Sequence, residues 1–280
     1  MRIGIIGTEN SHVDHIVDHL NVKDLGGDAR VVALSGGASE RNELLRTKGS
    51  VERVVDQPAG LLGLVDAVII TDRHGGLHRA HALPFLEQGL PVYVDKPLAC
   101  TVEDAEAIIA AARDHDAPLT SYSAVRWVPD ADAVAAEAAA LGAPQVVVAS
   151  GPADPDSPYG GIFFYGIHPV DTALRLAPGP LGEVRVERAG ATVTASALAG
   201  DIRVVVNLVL PTDSAQIPFH AMVVAREGIA QRTLTLGEHY VVPGLETFLE
   251  MARTGKPPLA YEDLLRPVRF LEEVAGALRG

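Results

Sequence analysis

Strand-length apolar runs alternate with segments of helical spacing over residues 2–122, and this alternation restricts the fold more than any other feature of the chain. Residues 2–6, Arg-Ile-Gly-Ile-Ile, read as a short buried strand, after which Val13, Ile16, Val17 and Leu20 recur at helical spacing. A strand over 30–34 precedes a polar helix containing Leu44 and Leu45. The continuous run 64–71 precedes a helix through 81–88, and the run 92–94 precedes a helix over 102–115. Thr101 and Asp104 form a capping-box-like pair at the start of that last helix, and a strand around 119–122 closes the series. Strands joined by helices run parallel, so the pattern predicts a parallel sheet with helices on both faces.

The pattern changes after Arg126-Trp127. An Ala-rich helix is expected over 130–141, followed by β-rich runs at 145–149, 183–188, 191–195, 202–210 and 220–226, which read as an antiparallel sheet. A helix over 165–176 lies against it, and helices over 243–254 and 261–279 close the chain. The expected class is α/β. Residues 1–122 are expected to form a Rossmann-like domain, and residues 123–280 an α+β domain with a mainly antiparallel open sheet. The last helix is free to pack back on the first domain.

Composition narrows the partners. A chain of 280 residues with 48% apolar content has ample core, while a formal charge of -13 without a basic cluster repels nucleic acid and anionic membranes. No apolar run reaches the roughly 18 residues that span a bilayer. The single Cys100 excludes an internal disulfide, and Met1-Arg2 leads into a strand rather than a signal peptide, so a reducing, cytoplasmic setting is expected.

The run Val92-Tyr93-Val94-Asp95-Lys96-Pro97 places chemistry on this scaffold. Proline donates nothing to a sheet ladder, so the strand stops at Lys96 and leaves its ammonium at the carboxyl edge, where open α/β sheets bind ligands. The first strand-to-helix turn, Gly7-Thr8-Glu9-Asn10-Ser11-His12, has the position of a pyrophosphate-binding loop. Aligned on G-x-G-x-x-G, however, it carries Glu9 and His12 where the second and third glycines belong. Ser35 stands at the end of the second strand in place of an acidic ribose ligand, and Ser35, Ser39 and Arg41 suit a 2'-phosphate, which tilts the choice between NAD and NADP towards NADP. His12, His74, His78 and His81 come from separate loops without tight ligand spacing. Solvated or capping roles suit them better than a metal.

Taken together, these residues resemble the Gfo/Idh/MocA family, the glucose-fructose oxidoreductase and inositol dehydrogenase group. Asp95-Lys96-Pro97 stands for that family's Glu-Lys-Pro, and Thr71 followed by His78 for the loop after the preceding strand. Arg126-Trp127 is similar to its basic-aromatic pair, Gly166-Ile167-His168-Pro169-Val170-Asp171 to its G-x-H-x-x-D helix, and Arg253 to Pro258 to its closing pattern. The resemblance implies hydride transfer between NAD or NADP and a secondary alcohol of a sugar, cyclitol or related polyol. It implies a pocket between the sheet edge and the His168 helix, and a homodimer or homotetramer formed through the open sheet. Hydride leaves a carbinol carbon only as its hydroxyl proton is taken, so a base is needed. His168 is expected in that role, with Lys96 orienting and polarising the oxygen. Gly7, Thr8, Glu9, Asn10, Ser11, His12, Ser35, Thr71, Asp95 and Lys96 are expected on the cofactor side, and Tyr122, Arg126, Tyr165, His168 and Asp171 on the substrate side. The family's aspartate four residues before the histidine is Phe164 here, so Tyr165 or a water would enter the relay. Asp171 would orient the imidazole or face the domain interface. Two other readings stay open: a lapsed member acting as a small-molecule-binding or regulatory module, and a redox-assisted lyase or epimerase.

Overall fold

In a computed structural model describing residues 1–212 and 217–280, six strands form an all-parallel sheet. Arg2–Ile6 (β1), Arg30–Ser35 (β2), Arg53–Val55 (β3), Ala67–Ile70 (β4), Val92–Asp95 (β5) and Leu119–Tyr122 (β6) lie in the order β3-β2-β1-β4-β5-β6. Helices His12–Val17 (α1), Ser39–Gly49 (α2), His78–Leu86 (α3) and Val102–Asp114 (α4) connect them, α1 continuing as a π-helical turn over Asp18–Val22. Every residue of β4, β5 and β6 is buried, as expected of a parallel sheet covered on both faces. Strand order reverses between β1 and β4, so the carboxyl ends of those two strands flank the crevice where such sheets take ligands. Thr101 Oγ1 accepts the Asp104 N–H at 3.1 Å and so caps α4.

The second sheet comprises Pro144–Pro152 (β7), Arg185–Ala189 (β8), Thr192–Ala199 (β9), Ile202–Val209 (β10), Phe219–Ala225 (β11) and Gly228–Leu234 (β12), in the order β12-β11-β7-β10-β9-β8. All neighbours are antiparallel except β7 and β10. Burial alternates along β9, β10 and β11, so one face is core and the other is half-exposed. Helix Phe163–Leu176 (α6) covers the core face, where Gly166 brings it against Leu208 of β10. Helix Pro129–Ala140 (α5) packs on β11 and β12. Two strands were not visible in the sequence. β3 has only three residues, and β12 carries Gln231, Arg232 and Thr233, which hide its alternation.

The chain divides into a first unit of Met1–Tyr122 with Val241–Leu264 and a second of Ser123–Tyr240 with Leu265–Gly280. The expectation of one continuous second domain over 123–280 is therefore corrected. Helix Val242–Thr254 (α7), rather than the last helix, lies wholly with the first unit, and Tyr261–Arg279 (α8) runs from the first unit into the second. The cause is packing between residues distant in sequence. Phe248 is fully buried with its ring 5.8 Å from that of Tyr93, and a Cβ at Gly244 would stand 2.3 Å from the Tyr122 ring, so only glycine allows this approach. Glu246 meets His19 Nε2 at 2.6 Å, and Arg253 donates to the Gly26 carbonyl at 2.8 Å.

Candidate active site

Gly7 begins the crevice turn with φ +81°, and a Cβ there would lie 2.5 Å from the Asp72 backbone nitrogen. The requirement for glycine is thus steric as well as conformational. Two hydroxyls fasten this turn. Thr71 Oγ1 donates to the Gly7 carbonyl at 2.6 Å, and Thr8 Oγ1 donates to Asn42 Oδ1 at 2.6 Å. Both threonines are fully buried, so they shape the turn and offer no hydroxyl to a ligand. Glu9 and Ser11 are exposed, and the Glu9 carboxylate does not fill the turn. Ser35 is fully buried and its Oγ has no hydrogen-bond partner among the described residues.

Asn10 and His12 turn inward to Asp95. Asn10 Nδ2 donates to Asp95 Oδ2 at 2.8 Å, His12 Nδ1 approaches the same oxygen at 2.8 Å, and the Tyr93 hydroxyl donates to Oδ1 at 3.1 Å. Burial pushes the Asp95 pKa up, but the charges of His12 and Lys96 and the hydrogen bonds to the carboxylate hold it well below the usual range. Burial also lifts the Tyr93 phenol well above its ordinary value, with Asp95 reinforcing the shift, so it stays a proton donor to the carboxylate. Lys96 is itself buried. Burial, together with the cationic Arg73, lowers its ammonium pKa, while Asp95 opposes the change.

Two of the four histidines depart from the solvated or capping roles expected from their loops. His12 and His78 are buried, and the His78 ring spans the Pro97 carbonyl (Nδ1, 2.8 Å) and the Asp72 carbonyl (Nε2, 3.0 Å), tying the turn after Lys96 to the loop after β4. Burial depresses the His78 pKa, while the two carbonyls, both acceptors, oppose that shift by favouring the protonated ring. His81 pairs with Asp72 at 2.7 Å, and His74 does cap, accepting the Gly76 N–H at 3.0 Å. No group of three or more potential metal ligands occurs among the described residues.

In the second unit, His168 and Asp171 stand one turn apart on α6, both buried. The partners of Asp171 lie in the segment before α5. Its carboxylate accepts from Arg126 Nη1 at 2.7 Å and from the Ser123 N–H at 2.9 Å. Arg126 is thus ion-paired to Asp171 through Nη1. The residue on His168 is Ser123, whose Oγ lies 2.6 Å from Nδ1 and accepts the Val125 N–H at 3.1 Å. Sequence reasoning missed Ser123. Its only signal was a hydroxyl two residues before a free amide at the start of the 3-10 turn Ala124–Trp127. Tyr165 is exposed, with its ring 5.9 Å from that of His168, and Phe164 packs between Tyr159 and Tyr165 at 4.9 Å from each. Tyr122 is buried and stacked on Tyr93 at 4.8 Å.

Comparison with known proteins matches these features to one group. Residues 1–123 match the GFO_IDH_MocA family, described as an oxidoreductase family with an NAD-binding Rossmann fold. An inositol 2-dehydrogenase/D-chiro-inositol 3-dehydrogenase of Halalkalibacterium halodurans is 32% identical over 129 residues, 45% of this chain and 36% of that protein. An inositol 2-dehydrogenase of Agrobacterium fabrum is 33% identical over 156 residues, 54% of this chain and 45% of its own length. The matched stretches thus cover less than half of these relatives. Among solved structures, a dehydrogenase from Chromobacterium violaceum shares the fold with a TM-score of 0.83 at 17% identity, covering 99% of this chain and 95% of that one. An apo scyllo-inositol dehydrogenase from Lactobacillus casei does so with a TM-score of 0.82 at 13% identity, covering 98% and 95%. Residues 1–123, which carry the parallel sheet, the glycine turn and the Asp95-Lys96-Pro97 edge, are thus similar to the NAD-binding Rossmann domain of the Gfo/Idh/MocA oxidoreductase family.

Proposed function

We propose that this protein moves hydride between a nicotinamide dinucleotide and a secondary alcohol carbon of a cyclitol or sugar. The observation that carries this reading is the buried Lys96 at the carboxyl end of β5, beside a carboxylate that also fastens the crevice turn through Asn10 and His12. The turn fits a dinucleotide. It is built on glycines at positive φ, a Cβ at Gly37 would fall 2.1 Å from Thr8 Oγ1, and β2 ends at the small Ser35, near the place where such folds receive the adenosine ribose. When bound, the dinucleotide supplies the ring that accepts or returns hydride. The inositol dehydrogenases among the relatives, together with a 1,5-anhydro-D-fructose reductase of Ensifer adhaerens, favour a polyhydroxylated ring as substrate.

Lys96, its pKa lowered by burial, donates N–H to the substrate oxygen and stabilises the charge that grows there. His168 handles the hydroxyl proton. With Nδ1–H donating to Ser123 Oγ, Nε2 keeps its lone pair and takes the hydroxyl proton as base; the imidazolium so formed, with N–H on both nitrogens, returns that proton as acid in the reverse direction. One contact thus serves oxidation and reduction. The proposal includes a cytoplasmic setting and a homo-oligomer formed through the half-exposed face of the second sheet, where Val146, Val148, Val205, Val209, Met222 and Val224 stand.

The test is calorimetric titration of the folded protein with NADH and NADPH, followed by turnover assays on inositols and sugars with NAD+ and NADP+. Binding with turnover that Lys96→Met removes is the expected result. A folded protein that binds neither nucleotide overturns the reading, and sedimentation as a monomer overturns the oligomer.

A further inference from the structure

Selectivity between NAD and NADP is decided where β2 ends, because the adenosine ribose lies there: an acidic residue takes the 2'-hydroxyl, and an arginine takes a 2'-phosphate. β2 ends at Ser35 without a carboxylate, and Arg41 in the first turn of α2 is the next guanidinium along the chain. From sequence alone this pair points to NADP. In the structure, however, the Arg41 fork is already occupied. Nη1 donates to Asp14 Oδ1 at 2.9 Å, Nη2 donates to Asp14 Oδ2, and Nε donates to the Thr8 carbonyl at 3.0 Å. Three of its five N–H groups are used and its charge is cancelled by a carboxylate in the bidentate geometry a phosphate would want. Glu9, in the turn fastened to α2 through Thr8 and Asn42, and Glu40, beside Arg41, are both exposed and add negative charge around the same crevice. A 2'-phosphate carries up to two negative charges and would have to displace Asp14 in that field.

We propose that Asp14 is a cofactor-selecting residue: by closing Arg41 into a bidentate pair it withholds the cation that a 2'-phosphate needs, so the chain takes NAD(H) in preference to NADP(H). This rests on the dinucleotide-binding reading above. Asp14 acts through Arg41 and is a positioning residue. Both side chains are partly exposed, so the pair opens without disturbing the core.

The test is a double-mutant cycle read by calorimetric binding of NADH and NADPH to the full-length protein, with circular dichroism confirming the fold of each variant. The wild type is expected to bind NADH at least tenfold more tightly than NADPH. Asp14→Asn should tighten NADPH about tenfold and leave NADH within about threefold, because only the phosphate competes for the freed guanidinium. Arg41→Gln should change the ratio little in the wild type and abolish the gain in Asp14→Asn, a non-additivity that general loosening of the loop would not produce. The NADPH gain should also shrink with added salt. NADH binding with an unchanged ratio in Asp14→Asn, or a wild type that prefers NADPH, overturns this inference alone. A folded wild type that binds neither nucleotide overturns the dinucleotide reading and this inference with it.

Discussion

Each unit buries one carboxylate beside a candidate catalytic group, and the two are held differently. Asp171 faces Arg126 and the Ser123 N–H, partners that keep their protons at any pH where the fold persists. Its cluster is electrically closed and serves as scaffolding: it fixes Ser123, and Ser123 fixes the His168 ring. Asp95 has no arginine on its carboxylate. It is held by an imidazole, an amide and a phenol, with the buried Lys96 next in the chain. There the carboxylate is the counter-charge that lets an ammonium remain out of water. The same residue type supports a proton carrier in one unit and a fixed cation in the other.

The largest expected effect separates chemistry from scaffolding. Lys96→Met should lower turnover by roughly 10²- to 10³-fold, the usual range for a lost donor to a developing oxyanion, while NADH binding measured calorimetrically persists. Next comes stability. Asp95→Ala and Arg126→Ala should each cost about 3–5 kcal/mol in urea unfolding, because each leaves a buried charge unpaired. The comparison sharpens with a paired replacement. Arg126→Met with Asp171→Leu should recover most of that loss, whereas no apolar residue at position 95 should do so while Lys96 stays buried.

The pH dependence is expected to follow Asp95 and Lys96. The Asp95 pKa is lowered by folding, so its contribution is complete above the unfolded value of about 3.9 and is lost as pH falls towards the lower folded value. The Lys96 pKa is also lowered, so the unfolded chain binds the extra proton. Stability should then rise with pH between the folded value and the unfolded value of about 10.4. Urea midpoints across this range should show both slopes, with Asp95→Asn flattening the acid limb and Lys96→Met the alkaline one. The smallest effect is Ser123→Ala, which removes one hydrogen bond worth about 1 kcal/mol and should reduce kcat five- to tenfold with little change in KM.

The sheet core and Lys96 were legible because their signals are local. A continuous apolar run marks a doubly covered strand, and Pro97 marks where β5 ends. The site's remaining contacts were not local. His12 reads as one more loop histidine until β5 brings Asp95 to it across 83 positions. Arg41 reads as a phosphate ligand until α1 brings Asp14 to it across 27. Ser123 and His168 are 45 residues apart, and no spacing rule links them. In each case the residue type was visible and its partner was not, and the partner decides the role.

The return of Val241–Leu264 to the first unit also sets an order of events during synthesis. All six strands of the parallel sheet exist once Tyr122 has been made, but the helix that covers Tyr93 and Tyr122 begins only at Val242. At ribosomal rates of 5–20 residues per second, the nascent sheet waits roughly 6 to 24 s with that aromatic surface uncovered. A protein built this way has a window of exposure written into its gene order, during which chaperones and premature termination have their greatest influence.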